Sequence, residues 1–264
     1  MAKRSVRRAQ RQIASSQMSE NEQDNVRRLF DEPGWSPLSV HGQQQALSHA
    51  GLEDRGQKYR KNIRPQNKNQ QAMLDAIDEA PLVFATGAAG TGKTYLAIAK
   101  GVEALEAGDV RRIVLSRPAV EAGENLGFLP GDMEDKLSPY LRPLYDALCD
   151  RLSSKRLKAL TAEGVIEIAP IAYMRGRTLN NAYVVIDEAQ NCTYAQLKML
   201  LTRLGWNSTM VVTGDPAQTD LLPELSGLAE ITEKLAQLER VRTVSFGKED
   251  VVRHPVVAEM IDLL

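Results

Sequence analysis

The sequence has few of the residues on which several classes of protein depend. Its 264 residues include two cysteines, Cys149 and Cys192, which are 43 positions apart. This excludes a disulfide scaffold and a cysteine-based zinc cluster, and we expect a cytoplasmic location. No apolar run approaches the roughly 20 residues of a membrane helix, so we expect no membrane association. Aromatic residues make up 5%, and no platform for stacking bases can be identified.

Charge is distributed unevenly along the chain, although the net charge is only −1. Residues 1–64 hold 12 Lys/Arg against 7 Asp/Glu, whereas the remaining 200 residues hold 21 against 27. The first 64 residues are also poor in large apolar side chains, which predicts a loosely structured basic extension. Such an extension suits a polyanionic partner such as nucleic acid, or it is a solvated tail.

From residue 65 onward, short apolar runs alternate with segments of helical periodicity. We predict one helix that starts at Lys93, and another that runs from an N-cap at Thr193 to a stop at Gly205. This alternation predicts a single α/β domain over 65–264, with a mostly parallel sheet and helices on both faces. The predicted strands are 82–85, 113–115, 165–169, 183–186, 210–212 and 241–246.

A glycine-rich phosphate-binding loop follows the first predicted strand. Glycines allow successive backbone N–H groups to turn towards an anion, and the following helix adds its partial positive charge. Lys93 would reach the β- and γ-phosphates, and the Thr94 hydroxyl would bind Mg²⁺. The sequence therefore predicts a nucleoside triphosphate site. The loop residues are Gly87, Ala88, Ala89, Gly90, Thr91, Gly92, Lys93 and Thr94.

Two acidic residues follow the predicted strand 183–186. Asp187 would complete the Mg²⁺ site, and Glu188 would act as general base on an attacking water. Gln218, just after the strand 210–212, would sense the γ-phosphate and orient that water. Gln70 lies shortly before the first strand, where a glutamine amide could read adenine and favour ATP over GTP.

These motifs resemble the PhoH family of P-loop ATPases, and the resemblance covers about residues 65–255. It implies a single RecA-like domain, the cofactors ATP and Mg²⁺, a hexameric ring, RNA as partner and a link to phosphate starvation. It does not include the second RecA-like domain of processive helicases, so it implies an ATPase and leaves helicase activity open. The matching blocks are 84–94, 116–124, 126–132, 139–143, 168–170, 173–178, 187–191, 213–215 and 250–254.

Carried onto this sequence, the resemblance also implies roles for several arginines. Arg253 resembles an arginine finger, which would reach the nucleotide of a neighbouring subunit; the alternative is a surface arginine. Arg175 and Arg177 compete for that role or face nucleic acid.

Arg117 has two alternatives of its own. It follows the second predicted strand, where superfamily 1 enzymes contact single strands. The other possibility is an ion pair with Glu121 or Glu124.

The leading functional hypothesis is an ATPase that couples hydrolysis to RNA or single-stranded nucleic acid. One alternative is a small-molecule kinase, although Glu188 and Gln218 would position water rather than an acceptor. The other is a nucleotide-gated binding module without turnover, against which the presence of Glu188 argues.

Overall fold

The computed structural model describes residues 63–118, 133–252 and 256, so most of the predicted basic extension lies outside the described residues. Within these residues, four short 3₁₀ segments cover Ile171–Met174, Ala189–Asn191, Pro223–Leu225 and Lys248–Asp250. The helices are α1 (Lys68–Glu79), α2 (Lys93–Ala107), α3 (Met133–Cys149), α4 (Ser154–Ala162), α5 (Tyr194–Leu201) and α6 (Leu228–Leu235). The strands are β1 (Leu82–Gly87), β2 (Arg112–Ser116), β3 (Ile166–Ile168), β4 (Ala182–Ile186), β5 (Thr209–Gly214) and β6 (Val241–Phe246).

The strands form one sheet in the order β3-β2-β4-β5-β1-β6, and each of its pairs is parallel. All six predicted strands are confirmed. β5 lies between β1, which leads into the phosphate loop, and β4, which leads into Asp187. This is the arrangement of a RecA-like P-loop domain, and it brings the carboxyl ends of these three strands to one edge.

Helices cover both faces of the sheet, as predicted. Side chains alternate along each strand, so Val83 and Ala85 of β1 pack into one apolar layer and Phe84 packs into the other. The first layer is completed by residues of α1, α2, α3 and α4, and the second by residues of α5 and α6. Among the described residues, no helix has both the length and the apolar character needed to cross a membrane.

Helix α5 begins at its predicted N-cap but ends earlier than predicted. The Thr193 hydroxyl accepts a hydrogen bond from the backbone of Gln196, whose side chain accepts one from the Thr193 backbone. The helix ends at Leu201, because the following N–H groups of Arg203 and Leu204 donate to carbonyls three residues back rather than four. Gly205 is therefore not a helix stop; a Cβ there would lie 2.2 Å from Oδ1 of Asn180.

Candidate nucleotide-binding site

The phosphate loop connects β1 to α2 through backbone conformations that require glycine. Gly87 has a φ of +120°, and a Cβ there would lie 2.0 Å from the carbonyl oxygen of Phe246. The same carbonyl accepts a hydrogen bond from Ala88 N–H, which joins the start of the loop to the end of β6. Gly92 is the N-cap of α2 at a φ of 83° and provides no side-chain cap. The first N–H groups of α2 are therefore available to an anion.

Lys93 places its ammonium group inside the loop. Its Nζ donates to the carbonyls of Gly87 (2.6 Å) and Ala88 (2.7 Å), and it lies 3.2 Å from the Thr91 hydroxyl. Burial lowers the pKa of Lys93, while the nearby carboxylates, Asp215 foremost, act in the opposite direction. The loop thus holds a buried cation next to the N-terminus of α2.

Thr94 and Asp187 meet at the centre of the site. Asp187 is buried at the end of β4, and its Oδ1 accepts hydrogen bonds from the hydroxyls of Thr94 (2.5 Å) and Thr213 (2.7 Å). A hydroxyl and a carboxylate oxygen are ligands that Mg²⁺ prefers, and Mg²⁺ keeps several waters beside one or two protein ligands. The pair therefore fits the predicted metal.

Glu188 follows in a left-handed backbone conformation, with a φ of 52° that is unusual for a residue other than glycine. Both oxygens of its carboxylate accept hydrogen bonds. Oε1 lies 3.3 Å from Nη2 of Arg117, and Oε2 lies 2.5 Å from Nε2 of Gln190. The side chain is still 36% exposed, so it is accessible from the cleft.

The loop after β5 completes the site and is joined to Glu188 by Gln190. The buried Gln190 amide accepts from Asp215 N–H (3.1 Å) and donates to the Gln218 carbonyl (3.3 Å) as well as to Glu188. Sequence reasoning missed Gln190, although its position two residues after Glu188 was a usable signal.

The phosphate loop, the acidic pair after β4 and the loop after β5 line one open cleft of about 300 Å³. The structure thus brings together the predicted Lys93, Thr94, Asp187, Glu188 and Gln218. Sequence reasoning missed the other lining residues after the loop, of which Tyr95 is a 39% exposed aromatic ring. The lining consists of Ala89, Gly90, Gly92, Lys93, Thr94, Tyr95, Asp187, Glu188, Gly214, Asp215 and Gln218.

Comparison with known sequences decides the family. The chain matches the PhoH-like protein family over residues 62–264. It belongs to this family. It is 54% identical over 203 residues to a PhoH-like protein of Bacillus subtilis, with 76% of this chain and 64% of the relative covered. It is 52% identical over 194 residues to Protein PhoH of Escherichia coli, where the shares are 72% and 55%. The chain thus spans less than two thirds of the length of these relatives.

Solved structures with a similar arrangement of elements are more distant. The large terminase of a thermophilic bacteriophage aligns with a TM-score of 0.47 and 13% identity, over 75% of this chain and 50% of the terminase. The Pif1 helicase from Candida albicans aligns with a TM-score of 0.40 and 16% identity, over 76% of this chain and 43% of the helicase.

Gln70 lies behind the phosphate loop of this PhoH-like domain. Its Nε2 donates to the Thr91 carbonyl (3.0 Å), its Oε1 accepts from Gln66 N–H (2.7 Å), and the residue is 4% exposed. Among the residues that line the described cleft, Gln70 does not appear. In this structure Gln70 braces the loop, and its contact with adenine stays a prediction.

The four arginines singled out in the sequence have different surroundings. Arg117 lies in the site, 3.3 Å from Glu188 and 3.8 Å from Asp187; Glu121 and Glu124, its predicted partners, lie outside the described residues.

Of the other three, Arg177 forms a two-pronged ion pair with Glu167 of β3 (2.5 and 2.6 Å). Arg175 lines a second, larger groove. Arg253 lies outside the described residues.

The segment after β6 is fastened to both the phosphate loop and α1, which the sequence did not indicate. The buried carboxylate of Asp250 accepts from the Asn69 amide (2.6 Å) and from Gly247 N–H (2.9 Å), and the Asp250 carbonyl accepts from Asn67. Val252 N–H donates to the Gly90 carbonyl (2.9 Å). Position 253 therefore follows a residue that is bonded to the phosphate loop.

Proposed function

We propose that this protein is a Mg²⁺-dependent ATP hydrolase of the cytoplasm that couples turnover to the binding of RNA or another single-stranded nucleic acid. One observation carries the enzymatic part: a buried loop lysine, a Thr94–Asp187 oxygen pair and the Glu188 carboxylate share one cleft. A phosphate cradle alone serves binding, whereas a carboxylate beside it serves hydrolysis.

Each residue then has a distinct part in the reaction. Loop N–H groups and Lys93 bind the β- and γ-phosphates, and Thr94 with Asp187 holds Mg²⁺, which when bound neutralises phosphate charge. Glu188 accepts a proton from water as the water oxygen bonds to the γ-phosphorus and ADP leaves. Gln218, beside the cleft, orients that water.

Three observations support a nucleic-acid partner. The first 64 residues have a balance of five positive charges. Arg175 lies on a groove of about 690 Å³. The cleft adjoins that groove, because Arg117 contacts Glu188 and the next residue, Pro118, lines the groove. A homo-oligomer, in our proposal a hexameric ring, and a link to phosphate starvation follow from the family resemblance.

The direct test is release of inorganic phosphate from ATP without any acceptor. The rate would be measured with Mg²⁺ and with EDTA, and with RNA, single-stranded DNA or duplex added at one fixed salt concentration. We expect release that requires Mg²⁺ and rises with single strands. Transfer of phosphate only to an added acceptor would instead indicate a kinase, and binding without release would indicate a nucleotide-gated module.

A further inference from the structure

Arg117 leaves the sheet at the point where two strands of the site are joined. It follows directly on β2, and the carbonyl of Ser116, the last residue of β2, accepts a hydrogen bond from Asp187 N–H (2.9 Å). The Arg117 side chain is 22% exposed. Arg117 therefore leaves the sheet directly beside the acidic pair that follows β4.

The guanidinium engages the proposed general base. Its Nη2 lies 3.3 Å from Oε1 of Glu188, and its Nη1 lies 3.8 Å from Oδ2 of Asp187. Since Gln190 bonds the other oxygen of Glu188, neither oxygen is without a hydrogen-bond partner. A general base must turn an oxygen towards the proton that it accepts, within about 2.6–3.2 Å of the water. The bond to Arg117 opposes that rotation.

A groove begins one residue further along the chain. Pro118 lines it together with Arg175, Asn191, Thr193 and Gln196, and none of the described residues that line it is acidic. An extended phosphodiester backbone is the ligand that such a groove could share with a neighbouring arginine, because guanidinium pairs with phosphate oxygens in the same two-pronged manner as with carboxylates.

We propose that Arg117 is a switch residue with two exclusive partners: the Glu188 carboxylate, and a phosphodiester of a single strand in the groove beside Pro118. When it pairs with Glu188, it restrains the base. When a strand takes the guanidinium, Glu188 is released to accept the proton of water. The strand contact considered for Arg117 from the sequence is then one half of a cycle. The other half is an ion pair with Glu188, which differs from the sequence-based alternative of Glu121 or Glu124. This inference rests on the proposed hydrolase function.

If Arg117 holds one partner at a time, Glu188 and nucleic acid must compete for its guanidinium. This competition can be measured without ATP hydrolysis. The affinity of fluorescein-labelled oligouridylate would be measured with a non-hydrolysable ATP analogue for wild type, Glu188→Gln, Arg117→Ala and the double variant. Removing the Glu188 charge frees Arg117, so Glu188→Gln should bind the strand more tightly, on the order of fivefold or more. In the Arg117→Ala background the same change should have no effect.

The salt dependence gives a second readout of the same contact. Arg117→Ala should reduce the slope of log affinity against log salt by about 0.7, which is the share of one phosphate contact to a single strand. Arg242→Ala is the matched control, because Arg242 is an arginine paired with Glu79 on the other side of β1. Its slope should equal that of wild type.

The kinetic arm tests the restraint itself. Arg117→Ala should raise the basal kcat several-fold at unchanged KM for ATP. The ratio of kcat with oligouridylate to kcat without it should fall to near one. Both quantities should be intermediate in Arg117→Lys. The switch would be overturned if Glu188→Gln changed strand affinity equally in the wild-type and Arg117→Ala backgrounds. It would also be overturned if the basal kcat of Arg117→Ala were below that of wild type. Absence of hydrolysis in wild type would instead refute the proposed function, while the binding cycle would still decide the competition.

Discussion

At the scale of single residues, Lys93 and Glu188 both lie in the cleft, but their substitution should impair different steps, ATP binding for Lys93 and hydrolysis for Glu188. Lys93→Ala removes the buried cation of the phosphate loop, so ATP affinity itself should fall. Glu188→Gln keeps the shape and can still accept one of the two hydrogen bonds, but it cannot act as a base, so kcat should fall by about 10²–10⁴-fold with ATP binding retained. Calorimetric titration with ATP and phosphate release would separate the two. Equal loss of ATP binding in both variants would contradict the role of Glu188 as base.

Asp250 provides a residue-scale prediction about stability. Its buried carboxylate joins Asn69 of α1 to the Gly247 backbone, and Asp250→Ala would leave both donors without this partner. The free energy of unfolding should fall by about 1–3 kcal/mol, the cost of leaving buried polar groups unsatisfied. Asp250→Asn is the matched control, because both donors bond the same oxygen, Oδ2, and an amide oxygen in its place can still accept from them. Urea denaturation measures the difference, and equal midpoints for all three proteins would disprove this role.

The site residues that could be predicted from the sequence all lie in short local motifs. Lys93, Thr94 and Asp187 stand in short motifs directly after buried strands, so parallel pairing alone brings them together. Gln190, Asp250 and the partners of Arg117 depend on contacts between segments far apart in the chain. For example, Asn69 and Asp250 are 181 positions apart, and no local pattern reports such a pair.

At the scale of elements, α2 packs against β4 through a position without a side chain. A Cβ at Gly101 would lie 2.6 Å from Cδ1 of the fully buried Tyr183. Replacing glycine by alanine within a helix normally stabilises it by about 1 kcal/mol. Here overpacking of about 1–3 kcal/mol should outweigh that gain, so Gly101→Ala should lower the thermal unfolding midpoint. A raised midpoint would show that Tyr183 can move aside.

Elements were predictable to the extent that their signals are local. Alternation and apolar runs located six strands, and the Thr193 capping box located the start of α5. The order β3-β2-β4-β5-β1-β6 follows from long-range pairing, which the sequence pattern does not encode. The end of α5 was missed because the chain tightens to three-residue hydrogen bonds after Leu201 with no proline or glycine to mark the change. The role of Gly205 depends on Asn180, 25 residues earlier.

At the scale of the whole molecule, the basic extension should contribute to nucleic-acid binding without being needed for the ATPase fold. Ile63 packs against the core, so a deletion of residues 1–62 leaves that packing in place. It removes eleven basic and seven acidic residues. Affinity for oligouridylate should fall, and the slope of log affinity against log salt should become shallower by about 0.7 for each phosphate that the shortened protein no longer neutralises. If the slope is unchanged while basal hydrolysis is intact, the extension does not contribute to nucleic-acid binding.

Among the described residues that line the nucleotide cleft, Lys93 is the one cation. A transferring phosphoryl group spreads charge over three oxygens, and P-loop hydrolases commonly meet it with a further arginine. The resemblance to the PhoH family implies Arg253 for this role, supplied to the site of a neighbouring subunit in a head-to-tail ring, where each interface pairs two different surfaces.

Arg253→Ala should then leave ATP binding largely intact and lower kcat by about 10³-fold, as removal of an arginine finger does. A mixture of Arg253→Ala with Lys93→Ala separates a finger in trans from one in cis. Since Val252 N–H bonds the Gly90 carbonyl, Arg253 follows a residue held against the phosphate loop of its own chain, and a cis contact is the competing geometry. In trans, interfaces that join an intact Lys93 site to an intact Arg253 donor should recover part of the activity. Mixed oligomers, verified by native mass spectrometry, that recover none would place the finger in cis, and a fully active monomer would remove the ring from the mechanism.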